Sequence, residues 1–376
     1  MRANEQVLYA SGGDGKDYLL SVNGDALVAR EFNINKLTLG PPHTLVDHVG
    51  SYGMPVAVSP GGILIYPTGA TGARLTWMDR AGKTLDVLTE ADKSYSYFRQ
   101  SPDGRRFVAA RLASWGTGGP ASELWMLAME RHVFSLFSPA SIGSFNVSPV
   151  WSNDGQTVLF NKSRIVLRKD ITASGEGERI AELGVQRLCD WSRDGRYLLY
   201  ESPQIGETGR DLWVAPMTPD GHLAEGAQPK PYIHGPFAEW QARFSPEPSP
   251  RWVAYVSDET GRNEVYIASF PDPKRRLQVT SGGGTFPQWG HDGRELFYIS
   301  GDGMLTVVGL KTGAAGLDLD LSSPQRLFPL AAGSSLASPY EVSPDGKRIL
   351  VNQAKQNTEL HVVVNWPLLL RRQAAQ

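Results

Sequence analysis

The chain has 376 residues, 41% of them hydrophobic, with 37 Lys and Arg against 39 Asp and Glu. A formal net charge of −2 lacks the basic excess of a dedicated nucleic-acid binder. The single cysteine, Cys189, excludes an intramolecular disulfide and a thiolate metal cluster, and no apolar run reaches the ~20 residues of a membrane helix.

Residues 1–6 lead directly into an apolar run at 7–10 that reads as a strand, so no signal peptide is expected here. The first unit is degenerate, with predicted strands at 7–10, 18–22, 26–31 and 43–48. From Ser59 onward one turn recurs. It is Ser59-Pro60-Gly61-Gly62, then Ser101-Pro102-Asp103-Gly104, Ser152-Asn153-Asp154-Gly155 and Ser192-Arg193-Asp194-Gly195. Ser245-Pro246-Glu247-Pro248, Gly290-His291-Asp292-Gly293 and Ser343-Pro344-Asp345-Gly346 follow. Asp bonding its own backbone and Gly at positive φ make each a tight connection between strands.

Each turn is preceded by a short strand that ends at Val58, Gln100, Trp151, Trp191, Phe244, Trp289 or Val342. Second strands are predicted at 63–66, 106–110, 157–160, 197–200, 252–256, 295–299 and 348–351, all rich in β-branched and aromatic residues. Third strands fall at 75–78, 123–127, 165–167, 211–214, 264–267, 305–308 and 361–364. Fourth strands fall at 84–88, 133–137, 178–183, 230–234, 276–280 and 325–329. The turns recur every ~40 to 53 residues, the length of a four-stranded antiparallel blade. The expected fold is all-β: a single β-propeller domain over 1–376, of about eight four-stranded blades, with a short tail at 367–376. Seven blades is the alternative, with residues 7–10 completing the last blade, because closure removes exposed edges.

The repeat also sorts the candidate residues. The turn acids, one per blade, do not converge as a calcium site requires, and read as local hydrogen-bonding groups. Glu123, Asp211 and Glu264 at the third strands read the same way. Trp151, Trp191, Phe244 and Trp289 share one phase and read as packing between blades. The residue before that aromatic faces the other side of the innermost strand. Its series is Ala57, Arg99, Val150, Asp190, Arg243, Gln288 and Glu341. Charges there need partners or water. Arg99, Asp190, Arg243, Gln288 and Glu341 are therefore the candidate ligand-binding residues of a central channel, the alternative being a structural ion-pair network. The histidines (His43, His48, His132, His222, His234, His291 and His361) show no metal-ligand spacing. No Gly-x-Ser-x-Gly is present, and no catalytic residue, metal or cofactor is assigned.

The pattern aromatic-Ser-Pro-Asp-Gly-Arg/Lys, followed by alternating Val/Leu/Ile and Phe/Tyr, resembles the WD-like repeat of TolB-type β-propellers. The stretch from Ala242 to Ala268, with Pro287-Gln288-Trp289 and Val362-Val363-Val364-Asn365-Trp366, is similar to the propeller appended to bacterial serine/threonine kinases. Glu247-Pro248 departs from the pattern, so that turn is expected to be longer. The resemblance implies a sensor or scaffold that binds a protein, peptide or small ligand at the channel. It also implies an extracytoplasmic or periplasmic setting and an upstream kinase domain in a parent protein. A propeller enzyme acting on a sugar, polyuronide or lactone is the competing expectation, as is a structural fragment with no role of its own.

Overall fold

The computed structural model describes residues 7–12, 15–23, 26–47, 49, 56–68, 73–89, 95–116, 119–140, 146–203, 209–312, 318–330, 338–354 and 359–373. His48, residues 69–72 and residues 117–118 of two glycine-rich tracts lie outside them. Eight antiparallel sheets form, the number the repeats predict: six of four strands, one of five and one of three.

The turns form as their chemistry dictates. The Ser101 hydroxyl donates to Asp103 at 2.5 Å and accepts the Arg106 N–H at 3.0 Å, while Asp103 accepts the Arg105 N–H at 3.0 Å. Gly104 closes the loop onto the Ser101 carbonyl at 2.9 Å with φ of 72°. The Ser–Asp bond recurs at Ser152, Ser192 and Ser343. At Ser245 the turn is longer, as expected: its hydroxyl accepts the Trp252 N–H, seven residues on, at 3.0 Å, and Glu247 pairs with Arg251 at 3.2 Å. Ser343 is 1% exposed and its hydroxyl also accepts the Arg348 N–H at 3.0 Å. Ser343→Ala should therefore cost about 1–2 kcal/mol, read as a lower denaturant midpoint with unchanged slope.

Six sheets share cores in cyclic order. Blade 1 is Tyr95–Gln100, Arg106–Gly116, Gly119–Ala128 and Val133–Ser138; blade 2 is Asn146–Trp151, Thr157–Lys162, Ile165–Asp170 and Glu178–Glu182. Blade 3 is Arg187–Trp191, Tyr197–Glu201, Leu212–Pro216 and Lys230–Ile233; blade 4 is Glu239–Phe244, Trp252–Ser257, Glu264–Ser269 and Arg276–Gln278. Blade 5 is Gly284–Trp289, Glu295–Ser300, Met304–Thr312 and Gln325–Pro329, with Leu319–Leu321 as its fifth strand. Blade 6 joins Tyr340–Val342 and Arg348–Ala354 to Ala73–Asp79 and Thr84–Val87.

Phe107 and Phe98 pack on Trp77 and Leu350 between blades 6 and 1, and Val108 on Trp151 and Phe160 between blades 1 and 2. Leu159 meets Leu198, Leu199 meets Tyr255, and Val256 meets Leu296 across the next three interfaces. Phe297 and Leu305 meet Tyr340 and Ile349, which closes the ring from blade 5 to blade 6.

The other two sheets share a separate core. One is Val7–Ser11, Asp17–Asn23, Ala26–Asn33 and Thr38–Val46; the other is Ala57–Val58, Ile63–Thr68 and Glu359–Val364. Leu20, Leu27, Leu64, Tyr66 and Trp366 meet between them.

The seven-blade alternative, in which residues 7–10 complete the last blade, does not form. Val7–Ser11 does not complete the last blade; it pairs with Asp17–Asn23. The ring closes instead where Arg348–Ala354 pairs with Ala73–Asp79, while Ile63–Thr68 pairs with Glu359–Val364. The repeat that begins at Ser59 and the last repeat thus exchange their outer strands, so that blade 6 joins residues 73–87 to residues 340–354. The tail forms a helix, Pro367–Gln373, whose Leu369 and Leu370 pack on the two-sheet core.

Candidate functional site at the channel mouth

The innermost strands of the ring converge on one cavity lined by Tyr97, Arg99, Ser148, Arg187, Gln241, Arg243, Phe286 and Gln288, with Cys189 and Glu201 behind. It is partly open to solvent.

All five predicted channel residues lie on innermost strands, and each ties a blade to its neighbour or to the axis. Arg99 pairs with Glu341 at 2.5 Å, with side chains 15% and 12% exposed. Arg99 also donates at 3.5 Å to the Cys189 carbonyl, two blades away across the axis. Arg243 donates to that carbonyl at 2.5 Å and to the Ala242 carbonyl at 2.8 Å. Asp190 accepts the N–H groups of Trp191 at 3.0 Å and Phe244 at 2.9 Å. Gln288 donates to the Tyr340 carbonyl at 2.7 Å. Arg99, Arg243 and Gln288 line the cavity; Asp190 and Glu341 do not. The tryptophans pack between blades, with Trp151 donating to the Arg99 carbonyl and Trp289 to the Arg243 carbonyl, both at 3.1 Å.

The residues that shape the mouth lie two positions earlier and were not anticipated. Tyr97, Ser148, Gln241 and Phe286 have φ of 47°, 54°, 55° and 55°. Such φ is uncommon without glycine and costs of order 1–3 kcal/mol at each site. All four stand three residues before the blade's marker residue. Each is the first of two residues that oppose one on the next strand, a β-bulge. The bulge turns these side chains into the cavity.

Arg187 joins them from blade 3. Its guanidinium lies 4.8 Å from the Tyr97 ring centre, donates to the Tyr97 hydroxyl at 2.8 Å and sits 3.6 Å from the fully buried Glu201. Glu201 accepts the Gln241 N–H at 2.9 Å, and Gln241 accepts the Phe286 N–H at 2.7 Å. Arg187, Glu201 and Gln241 thus chain blades 3, 4 and 5 at the rim.

Burial pushes the Cys189 thiol well up, so it is no thiolate nucleophile at neutral pH. Burial also raises the Asp190 carboxyl to about 6, against the pull of Arg99. The native carboxyl then holds its proton better than the unfolded one. Its contribution is intact below the unfolded value near 4 and is lost as pH rises through about 6, by roughly 3 kcal/mol. Asp190→Asn should remove that part of the decline, seen by comparing urea midpoints of the two proteins across pH 4–7.

Among the described residues no three His, Cys, Asp or Glu side chains gather as a metal site, and no helix is long and apolar enough to cross a membrane. His222 lies on the outer surface between Asp220 and Glu178, at 3.0 and 3.3 Å. His361, on Glu359–Val364, stacks on Tyr66 with ring centres 5.3 Å apart and its side chain partly exposed.

The fold defines a β-propeller. It is TolB-like: the chain is similar to a TolB from Agrobacterium tumefaciens at 16% identity, with 76% of this chain and 99% of that one covered and a TM-score of 0.54. TolB from Acinetobacter baumannii is similar at 13% identity over 91% of this chain and 80% of that one, TM-score 0.48. An oligogalacturonate lyase from Vibrio parahaemolyticus is similar at 13% identity over 96% of this chain and 98% of that one, TM-score 0.49. No family model and no curated protein sequence matches the chain.

Proposed function

We propose that this propeller is a non-enzymatic binding module that holds a protein or peptide, or a small ligand, at the channel mouth. The observation that carries the reading is the recurrence of a left-handed bulge residue at the same phase of four innermost strands, all aimed into one cavity. Backbone strain repeated in this way is maintained by the surrounding ring and marks a surface shaped for recognition. The charges around it support binding over proton-transfer chemistry, because Arg99 and Arg187 each have a carboxylate partner already. A sensor role for an attached kinase is part of the same proposal and rests on the sequence resemblance.

The test is to pass a random peptide pool over the immobilised protein and over a Tyr97→Ala, Phe286→Ala variant. Peptides retained by the first and lost by the second support the mouth as the site. Equal retention by both contradicts it, and turnover of oligogalacturonate by the purified protein would favour the enzyme reading instead.

A further inference from the structure

Of the guanidiniums at the mouth, Arg99 is neutralised by Glu341 and Arg187 by Glu201. Arg243 differs. It bonds only to the carbonyls of Cys189 and Ala242, and no carboxylate stands within ion-pair distance of it among the described residues. A half-buried guanidinium without a counter-ion is an uncompensated charge. A second, independent group points to the same cavity. Ser148 is 4% exposed, lines the cavity, and its hydroxyl has no hydrogen-bond partner among the described residues. A buried hydroxyl left unpaired calls for a partner from outside the chain.

We infer that the mouth takes a carboxylate, the free C-terminal end of a peptide, with Arg243 as counter-ion and the Ser148 hydroxyl as a further donor. This rests on the mouth being the binding site. One guanidinium without an ion-pair partner suits a singly charged group, and Glu201, which lines the cavity, disfavours a dianion. Arg99 and Arg243 reach the Cys189 carbonyl from separate blades and so narrow the axis at that level, which favours a chain end over a segment that passes through. Tyr97 and Phe286 at the rim would hold the side chain of the last residue.

The experiment measures fluorescence polarisation of N-terminally labelled random octapeptide pools, made once with free C-terminal carboxylates and once as C-terminal amides. The free acids are expected to bind about tenfold tighter or more, the scale of a lost charge-assisted contact. That preference should vanish in Arg243→Gln, be kept in part in Arg243→Lys, and weaken in Ser148→Ala. Thermal melts of each variant confirm that it is folded. Acids and amides binding alike, with both lost in Phe286→Ala, overturn the carboxylate assignment and leave the mouth standing as the site. Binding unaffected by Phe286→Ala and Arg243→Gln overturns both. Oligogalacturonate displacing the peptides at lower concentration than free-acid peptides do would overturn the chain-end assignment.

Discussion

Replacing Arg99 by methionine should lower the unfolding free energy by roughly 3–5 kcal/mol, the cost of leaving one partner of a buried ion pair uncompensated. The uncompensated partner is Glu341, at 12% side-chain exposure, whose carboxyl burial already pushes up and which Arg99 pulls back down. The same change cuts the link across the axis from blade 1 to the Cys189 carbonyl on blade 3. The double variant Arg99→Met, Glu341→Leu should recover much of the loss, because two well-packed apolar groups replace a buried pair at little net cost. Urea denaturation of the two singles and the double gives the coupling directly. A double variant as unstable as Arg99→Met alone would mean that the cross-axis bond, and not the pair, carries the effect.

Trp366→Ala should unfold the two-sheet annex and spare the ring. Trp366 is fully buried and packs edge-on to Tyr18 with ring centres 5.6 Å apart, while its backbone N–H, which alanine keeps, donates to the Gly62 carbonyl at 3.0 Å. Truncating a buried tryptophan costs about 3–5 kcal/mol. The core it leaves is small, built of Leu20, Leu27, Ala29, Leu45, Leu64 and Tyr66 with a few neighbours, and is separate from the six cores of the ring. A loss of this size is comparable with the local stability of such a unit. Hydrogen exchange should show the amides of Leu20, Val28 and Leu64 losing protection while those of Val253, Ile267 and Leu198 keep theirs. Simultaneous loss in both sets would show that annex and ring unfold as one.

The turns and strands were legible because their signals are local. Ser343-Pro344-Asp345-Gly346 contains its own hydrogen-bond plan, and Trp252–Ser257 reads as a buried strand from its residues alone. Strand pairing at closure was not legible. Ile63–Thr68 and Ala73–Asp79 carry the same pattern as consecutive strands of any other repeat. Nothing in them says that their partners are Glu359–Val364 and Arg348–Ala354, about 280 residues away. The polar ring at Arg99, Asp190, Arg243, Gln288 and Glu341 was legible from alternation along the innermost strand. The mouth residues were not, because Tyr97, Ser148, Gln241 and Phe286 share a backbone conformation and no side-chain chemistry. Their common offset from the marker residue was the available signal, with Pro149 and Pro287 following two of them.

The most direct test of the mouth as the binding surface is site-specific photo-crosslinking. Benzoylphenylalanine placed at position 286, on the rim, is compared with the same group at position 85, which is 48% exposed on the outermost strand of blade 6. Peptides selected for binding should be labelled from position 286 and not from position 85. Labelling from position 85 alone, or equally from both, would contradict a binding site at the channel mouth.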